Sequence, residues 1–165
     1  MSQREVAAEI IGRLTARGQT AAVAESLTGG LLAAALTTVP GASAAFRGGV
    51  VAYATDLKST ILGVPADLLE RYGAVHPDVA TAMAAGVRRL MAATFGAATT
   101  GVAGPDPSDG QPVGTVYIAV SSGPSAAGGA AARSLTLRGS RDEIRQQTVA
   151  QCLSLLLSRI REENS

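Results

Sequence analysis

The chain has 165 residues and a mass of 16.5 kDa, with 47% hydrophobic and 16% charged residues, a composition that excludes intrinsic disorder and suits one compact core. Lys+Arg 14 against Asp+Glu 13 leaves a formal charge of +1, and with no Trp, two Phe and three Tyr the chain offers neither the basic surface nor the stacking platforms of a nucleic-acid binder. One cysteine, Cys152, excludes an intramolecular disulfide and multi-cysteine zinc sites, and a single histidine argues against a His-rich metal centre.

In chain order, Val6, Ile10 and Leu14 recur every four residues, which predicts an amphipathic helix over Gln3–Arg17 ended by Gly18. Thr20–Ala24 reads as a short strand, Leu27–Thr38 as a small-residue helix stopping before Pro40-Gly41, and Gly48–Ala54 as a second strand. Thr55–Leu62 resembles a short helix, and Pro65 suits the first turn of another that stops at Gly73. Pro77–Thr94 is a long helix, with Met83, Val87, Leu90 and Met91 at helical spacing.

A short apolar strand, Ala97–Gly101, runs into GVAGPDPSDGQPVG, too dense in Gly and Pro for regular structure and so a loop. Val113–Ser121 and Ala131–Leu137 follow as strands of an antiparallel hairpin joined by SSGPSAAGG. Ser140 and Glu143 have capping-box spacing and open a helix with Val149, Cys152, Leu153, Leu156 and Ile160 on one face. Strands alternate with helices, so the fold expected is a single-domain three-layer α/β/α sandwich with a mixed sheet over residues 1–165.

Two uncharged stretches, Ser26–Phe46 and Gly110–Ala132, are long enough to raise a membrane span, but Gly29-Gly30, Pro40-Gly41, Pro112 and Pro124 interrupt them. Arg4, Glu5 and Glu9 break any secretory apolar run. A cytoplasmic protein with no membrane partner is the expectation.

The chemistry is narrowed first by what is missing. No GxxxxGK[ST] and no GxGxxG after a strand appears, and the neighbours of Ser26 exclude Ser-x-x-Lys and GxSxG. His76, just before Pro77, reads as a helix N-cap or surface residue ahead of a catalytic one. The basic residues are thirteen Arg and one Lys, and the survivor, Lys58, is the cation able to become a neutral base when desolvated.

AESLTGG, residues Ala24 to Gly30, lies where a strand passes into a helix. A serine there is a nucleophile beside helix N-terminal donors, or Ser26 or Thr28 caps the helix while Gly29 and Gly30 relieve crowding; the heptapeptide leaves both open. VVAYATDLK brings Tyr53 to a strand end and Lys58 about one helical turn further, so Ser26, Tyr53 and Lys58 form a chemically coherent set if they share a cleft. Glu25 is the competing carboxylate, its bland role being a partner to a nearby Arg at the strand end.

These blocks are similar to a known family, the C-terminal domain of the competence- and damage-inducible CinA proteins. AESLTGG resembles its AES-C-TGG segment, VVAYATDLKSTILGVP its V-TYS-N-K-LGV block, and RYGAVHPDVA its Gly-Ala-Val-Ser before a helix. TTGVAGPDPSDGQPVGTVY resembles SGIAGP followed by PVGTV, and LRGSRDEIRQQTV the GDR-IR segment, in order from Ala24 to about Thr148. The resemblance implies hydrolysis of the carboxamide of nicotinamide mononucleotide to nicotinate mononucleotide and ammonia, without cofactor or metal, by a homodimer in pyridine-nucleotide recycling.

By the same resemblance Ser26 is the nucleophile, Lys58 its base and Tyr53 a neighbour that relays the proton or fixes the amine. Thr28, Gly29, Gly30 and the loop from Gly101 through Gly104 to Pro105 surround the ligand, and Arg141 meets its phosphate. A Lys58 amine buried near Arg141 is expected to have a lowered pKa. The chain departs from the family at Leu27 for Cys, at Ala54-Thr55-Asp56 for Ser-Asn, at His76 for Ser and at Pro107-Ser108-Asp109 for glycines. The pyrophosphate hydrolysis associated with the N-terminal domain of some relatives is not expected. Two other functions stand beside the amidase: a non-catalytic regulatory nucleotide-binding module, and an amidase for another small amide.

Overall fold

The computed structural model describes residues 1–123 and 130–163. Among them the chain forms α1 (Gln3–Arg17), β1 (Ala21–Glu25), α2 (Leu31–Thr37), a 3₁₀ turn (Ala42–Ala44), β2 (Phe46–Val51), α3 (Thr55–Thr60), α4 (Ala66–Tyr72) and α5 (Pro77–Leu90). Strands β3 (Phe95–Gly101), β4 (Thr115–Ser122) and β5 (Ala131–Thr136) and helix α6 (Arg141–Glu162) complete it. The connection between β4 and β5 expected over SSGPSAAGG lies mostly outside the described residues.

The five strands make one mixed sheet in the order β2-β1-β3-β4-β5. β1 pairs in parallel with β2 and β3, while β3–β4 and β4–β5 are antiparallel, as the hairpin reading requires. Alternation along the strands divides the interior between two faces. Ala21 and Val23 of β1, Phe95 and Ala97 of β3, and Val116, Ile118 and Val120 of β4 meet the apolar sides of α1, α2 and α6. Ala22, Ala24, Ala98 and Ala119 point the other way, onto Leu62, Leu69 and the Val79, Met83 and Val87 stripe of α5. Helices therefore cover both faces, and the sandwich is three layers deep, as expected.

Local signals explain the helix ends. α1 starts on a Ser2–Glu5 capping box and stops at Gly18, whose φ of 65° closes the last turn. α6 starts on the expected Ser140–Glu143 box, and its predicted face of Val149, Cys152, Leu153, Leu156 and Ile160 is buried. His76 caps α5, its Nδ1 accepting from the Asp78 backbone N–H.

The strand limits shift by up to three residues from the sequence reading, β2 most, running Phe46–Val51 instead of Gly48–Ala54, and α3 stops at Thr60 instead of Leu62. Three helix boundaries differ for a backbone reason. α2 begins at Leu31, not Leu27, because Gly29 and Gly30 have φ of 54° and 105°, outside the right-handed helical region. α5 ends at Leu90, short of Thr94. Ala92 there turns left-handed at φ 49°, and the N–H groups of Ala92 and Ala93 return to the Arg89 and Arg88 carbonyls in a Schellman arrangement. Pro65 is the cap of α4 and not part of its first turn.

No described helix is long and apolar enough to cross a membrane.

Candidate active site

In open α/β sheets ligands collect outside the carboxyl ends of the parallel strands, and here those ends bring three segments together. β1 delivers Glu25 and Ser26, β2 delivers Ala52 and Tyr53, and β3 delivers Thr100 and Gly101. The Ser26 N–H donates to the Thr99 carbonyl at 3.1 Å and the Ala52 N–H to the Glu25 carbonyl at 2.9 Å, so the sheet ladder continues one residue into the site. The serine thus sits on strand-like backbone and not on a free loop.

A cavity of about 280 Å³ opens at this edge. Ser26, Tyr53, Lys58, Gly101, Gly104 and Arg141 line it together with Asp106 and Asp109. Two larger hollows, near α1 and α6 and near α3 and α4, are lined by neither Ser26 nor Lys58.

Lys58 is the centre of the arrangement. It lies on α3 with only 1% of its surface exposed, and its Nζ is 3.0 Å from Ser26 Oγ, 2.7 Å from the Ala52 carbonyl and 3.4 Å from the Tyr53 carbonyl. An amine has two hydrogens and one lone pair. With the two carbonyls taking the hydrogens, the lone pair of the neutral form is left for the Ser26 hydroxyl. Burial pushes the Lys58 pKa down to about 8, against an opposing pull from the Asp109 carboxylate. The lowering expected from sequence is present and comes from burial, as expected, while Arg141 is not among its causes. That guanidinium is turned away, its Nη1 donating to the Gly104 carbonyl at 2.7 Å and its Nη2 to the Tyr53 hydroxyl at 3.1 Å.

Tyr53 is brought to the cavity in a different sense from the one expected. Its backbone carbonyl faces the amine, whereas its side chain is 61% exposed and its hydroxyl is engaged with Arg141. The side chain has no bond to Ser26 or Lys58, so it holds the arginine, and any fixing of the amine falls to its main chain.

Thr28, Gly29 and Gly30, expected around a ligand, are not among the residues that line this cavity. Thr28 is turned inward, Gly29 is exposed beside Arg145 of α6, and Gly30 lies near Val51 of β2. Thr28 is fully buried with its hydroxyl 2.8 Å from that of Thr99, and Arg145 on α6 donates to the Leu27 carbonyl at 2.9 Å and the Thr28 carbonyl at 3.4 Å. A methyl group at Gly29 would lie 3.2 Å from the Arg145 guanidinium.

Glu25 also differs from its expected role. Its carboxylate is 1% exposed and accepts from the Leu32 and Ala33 N–H groups at 2.8 and 3.1 Å, capping α2 from within instead of pairing with an arginine. Its preference for backbone over a charged partner left no trace in residue spacing. Asp109 is likewise a cavity residue that had no assigned role in the sequence reading; the signal for it was its place, three residues past the GPD of the glycine-rich loop. Among the described residues, no three His, Cys, Asp or Glu side chains group as a metal cage.

With this geometry in hand, the chain can be set beside known proteins. The sequence model of the CinA C-terminal domain matches residues 3–160. A CinA-like protein of Frankia casuarinae is 54% identical over 147 residues, covering 89% of this chain and 33% of that protein. A CinA-like protein of an Anaeromyxobacter species is 48% identical over 156 residues, 94% of this chain and 37% of that one. The chain thus spans about a third of the length of these curated relatives. Among solved structures, the competence/damage inducible protein CihA from Agrobacterium tumefaciens superposes with a TM-score of 0.89 at 36% identity, covering 96% of this chain and 99% of that one. A CinA superfamily protein from Enterobacter cloacae gives 0.91 at 29% identity, over 97% and 93% of the two chains.

Proposed function

Since the chain belongs to the CinA C-terminal domain family, we propose that it is an amidohydrolase converting nicotinamide mononucleotide and water to nicotinate mononucleotide and ammonia. The observation that carries this reading is the buried contact of 3.0 Å between Lys58 Nζ and Ser26 Oγ, in a cavity that also holds an arginine. A helix-capping serine has no use for a desolvated lysine at that distance, and α2 is capped by Glu25.

The reaction follows from the proton inventory. Lys58, as the amine, takes the hydroxyl proton while Ser26 Oγ adds to the carboxamide carbon. The oxygen charge that develops is stabilised by backbone donors; the Leu27 N–H, next to the nucleophile on the cavity wall, is the group that supports this role, because the N–H groups of Gly29 and Leu31 are bonded to the Ser26 and Thr28 carbonyls. Lys58 then returns its proton to the nitrogen, the C–N bond breaks and ammonia leaves an acyl ester on Ser26. Water, deprotonated by Lys58, cleaves that ester, and the proton goes back to Ser26 as nicotinate mononucleotide departs.

Arg141, at the first position of α6 and on the cavity wall, supplies the charge for the phosphate. The experiment is ammonia release by the purified chain with nicotinamide mononucleotide beside free nicotinamide: turnover of the nucleotide and little of the base supports the reading. Equal turnover would make the protein a general amidase. None with either would leave a nucleotide-binding module.

A further inference from the structure

The cavity wall carries two carboxylates, Asp106 and Asp109, that the chemistry above does not use. Neither is a structural partner of the nearby cation. Arg141 is satisfied by a carbonyl and a phenol, and among the described residues no ion pair within 4.0 Å and no side-chain hydrogen bond involves either aspartate. Asp109 is the more constrained of the two. Ser108 and Gln111 exchange backbone hydrogen bonds at 3.2 and 2.9 Å, closing a two-residue turn in which Asp109 and Gly110 have φ of 52° and 71°. The side chain also packs against Gly73, where a methyl group would come within 3.2 Å of its Cβ. A tight hairpin tip therefore holds a solvated, unpaired carboxylate at the cavity.

We propose that Asp109 is the specificity-determining residue that reads the fixed positive charge of an N-alkylated pyridinium ring whose carboxamide lies at Ser26. This rests on the amidase reading and deepens it. The cavity has Arg141 for an anion and Asp109 for a cation, which matches a ligand carrying phosphate at one end and a cationic ring at the other. Asp109 also acts on the base, since its negative charge favours the ammonium form of Lys58. A cationic ring seated beside Asp109 offsets that field and so favours the neutral amine at Lys58. A neutral ring leaves the field in place.

The test uses nicotinamide mononucleotide and its neutral 1,4-dihydro form as probes, titrated calorimetrically at pH 8 into the Ser26→Ala protein with and without Asp109→Asn. Asparagine tolerates positive φ as aspartate does, so the turn is kept while the charge is removed. The expected result is a loss of about three- to tenfold in affinity for the cationic nucleotide and no change for the dihydro form. In the Ser26 protein, Asp109→Asn should also move the acid limb of the kcat/KM profile to lower pH, which a merely structural role would not do. Equal losses for both probes, or none for either, overturn the inference while leaving the amidase intact if wild type still releases ammonia. A chain that binds neither nucleotide and releases no ammonia overturns the amidase reading, and this inference with it.

Discussion

Lys58 and Ser26 meet side chain to side chain at 3.0 Å across thirty-two positions of sequence, one from the short helix α3 and the other from just past the end of β1. Both are buried, and the amine is oriented by the Ala52 carbonyl at 2.7 Å. The pair is therefore built into the sheet edge before any ligand arrives.

Ser26→Ala should abolish turnover, by about 10⁴-fold or more, while the protein stays folded and binds nucleotide. Its Oγ bonds only Lys58 among the described residues, so the loss of stability should be small, about 1 kcal/mol. Ammonia release and thermal denaturation measure the two sides. Near wild-type turnover in this variant would mean that water attacks the amide directly.

Lys58 supplies a pH signature. With a folded pKa of about 8, kcat/KM should rise as pH increases through 8 and level off above it, because the amine is the working form. Lys58→Arg should be folded and inactive. The same depression affects stability: the ordinary value is 10.5, so between pH 8 and 10.5 the unfolded chain holds more protons than the folded one. Stability from this group therefore rises with pH across that window, by at most about 3 kcal/mol. Urea midpoints of wild type and Lys58→Met, followed upward from about one pH unit below the folded pKa, should diverge in favour of wild type. Midpoints that keep a constant separation across the window would contradict the depressed pKa.

Arg141→Ala should raise KM for the mononucleotide by roughly ten- to a hundredfold, the value of a lost charge-assisted contact, with a smaller effect on kcat. Activity toward free nicotinamide, however slight, should be unchanged. The variant also frees the Tyr53 hydroxyl and the Gly104 carbonyl, so Tyr53→Phe serves as the comparison. A KM effect from Tyr53→Phe as large as that from Arg141→Ala would assign the recognition to the phenol.

Glu25→Ala should destabilise the fold by about 2 to 4 kcal/mol, since it removes two charge-assisted bonds from a buried helix start. Glu25→Gln keeps an acceptor and should recover part of that loss. Denaturation midpoints decide this, and a change in Glu25→Ala below about 0.5 kcal/mol, as for an exposed substitution, would contradict the capping role.

Much of the frame was readable from one dimension because it rests on local rules. α1 and α6 declare themselves by apolar spacing, and α6 by a capping box as well. Lys58 stood out because arginine fills the other basic positions. What spacing could not convey is direction. Tyr53 was placed near the right residues, but which way its ring leaves the strand end depends on Arg141, eighty-eight residues away. Thr28 and Gly29 lie beside the nucleophile in sequence, yet the turn sets them against Arg145 of α6. The role of Glu25 was hidden for a related reason, since its partners are main-chain N–H groups that any residue could carry.

The carboxylate of Glu25 on the Leu32 and Ala33 N–H groups amounts to a tethered competitor, present at an effective concentration no free anion in a cell approaches. Sulfate or phosphate added to the protein therefore meets an α2 terminus already taken, although that terminus begins only five residues after the serine. The internal acid thus closes the α2 terminus to outside anions, and the arginine on the cavity wall is a separate charge at the start of α6.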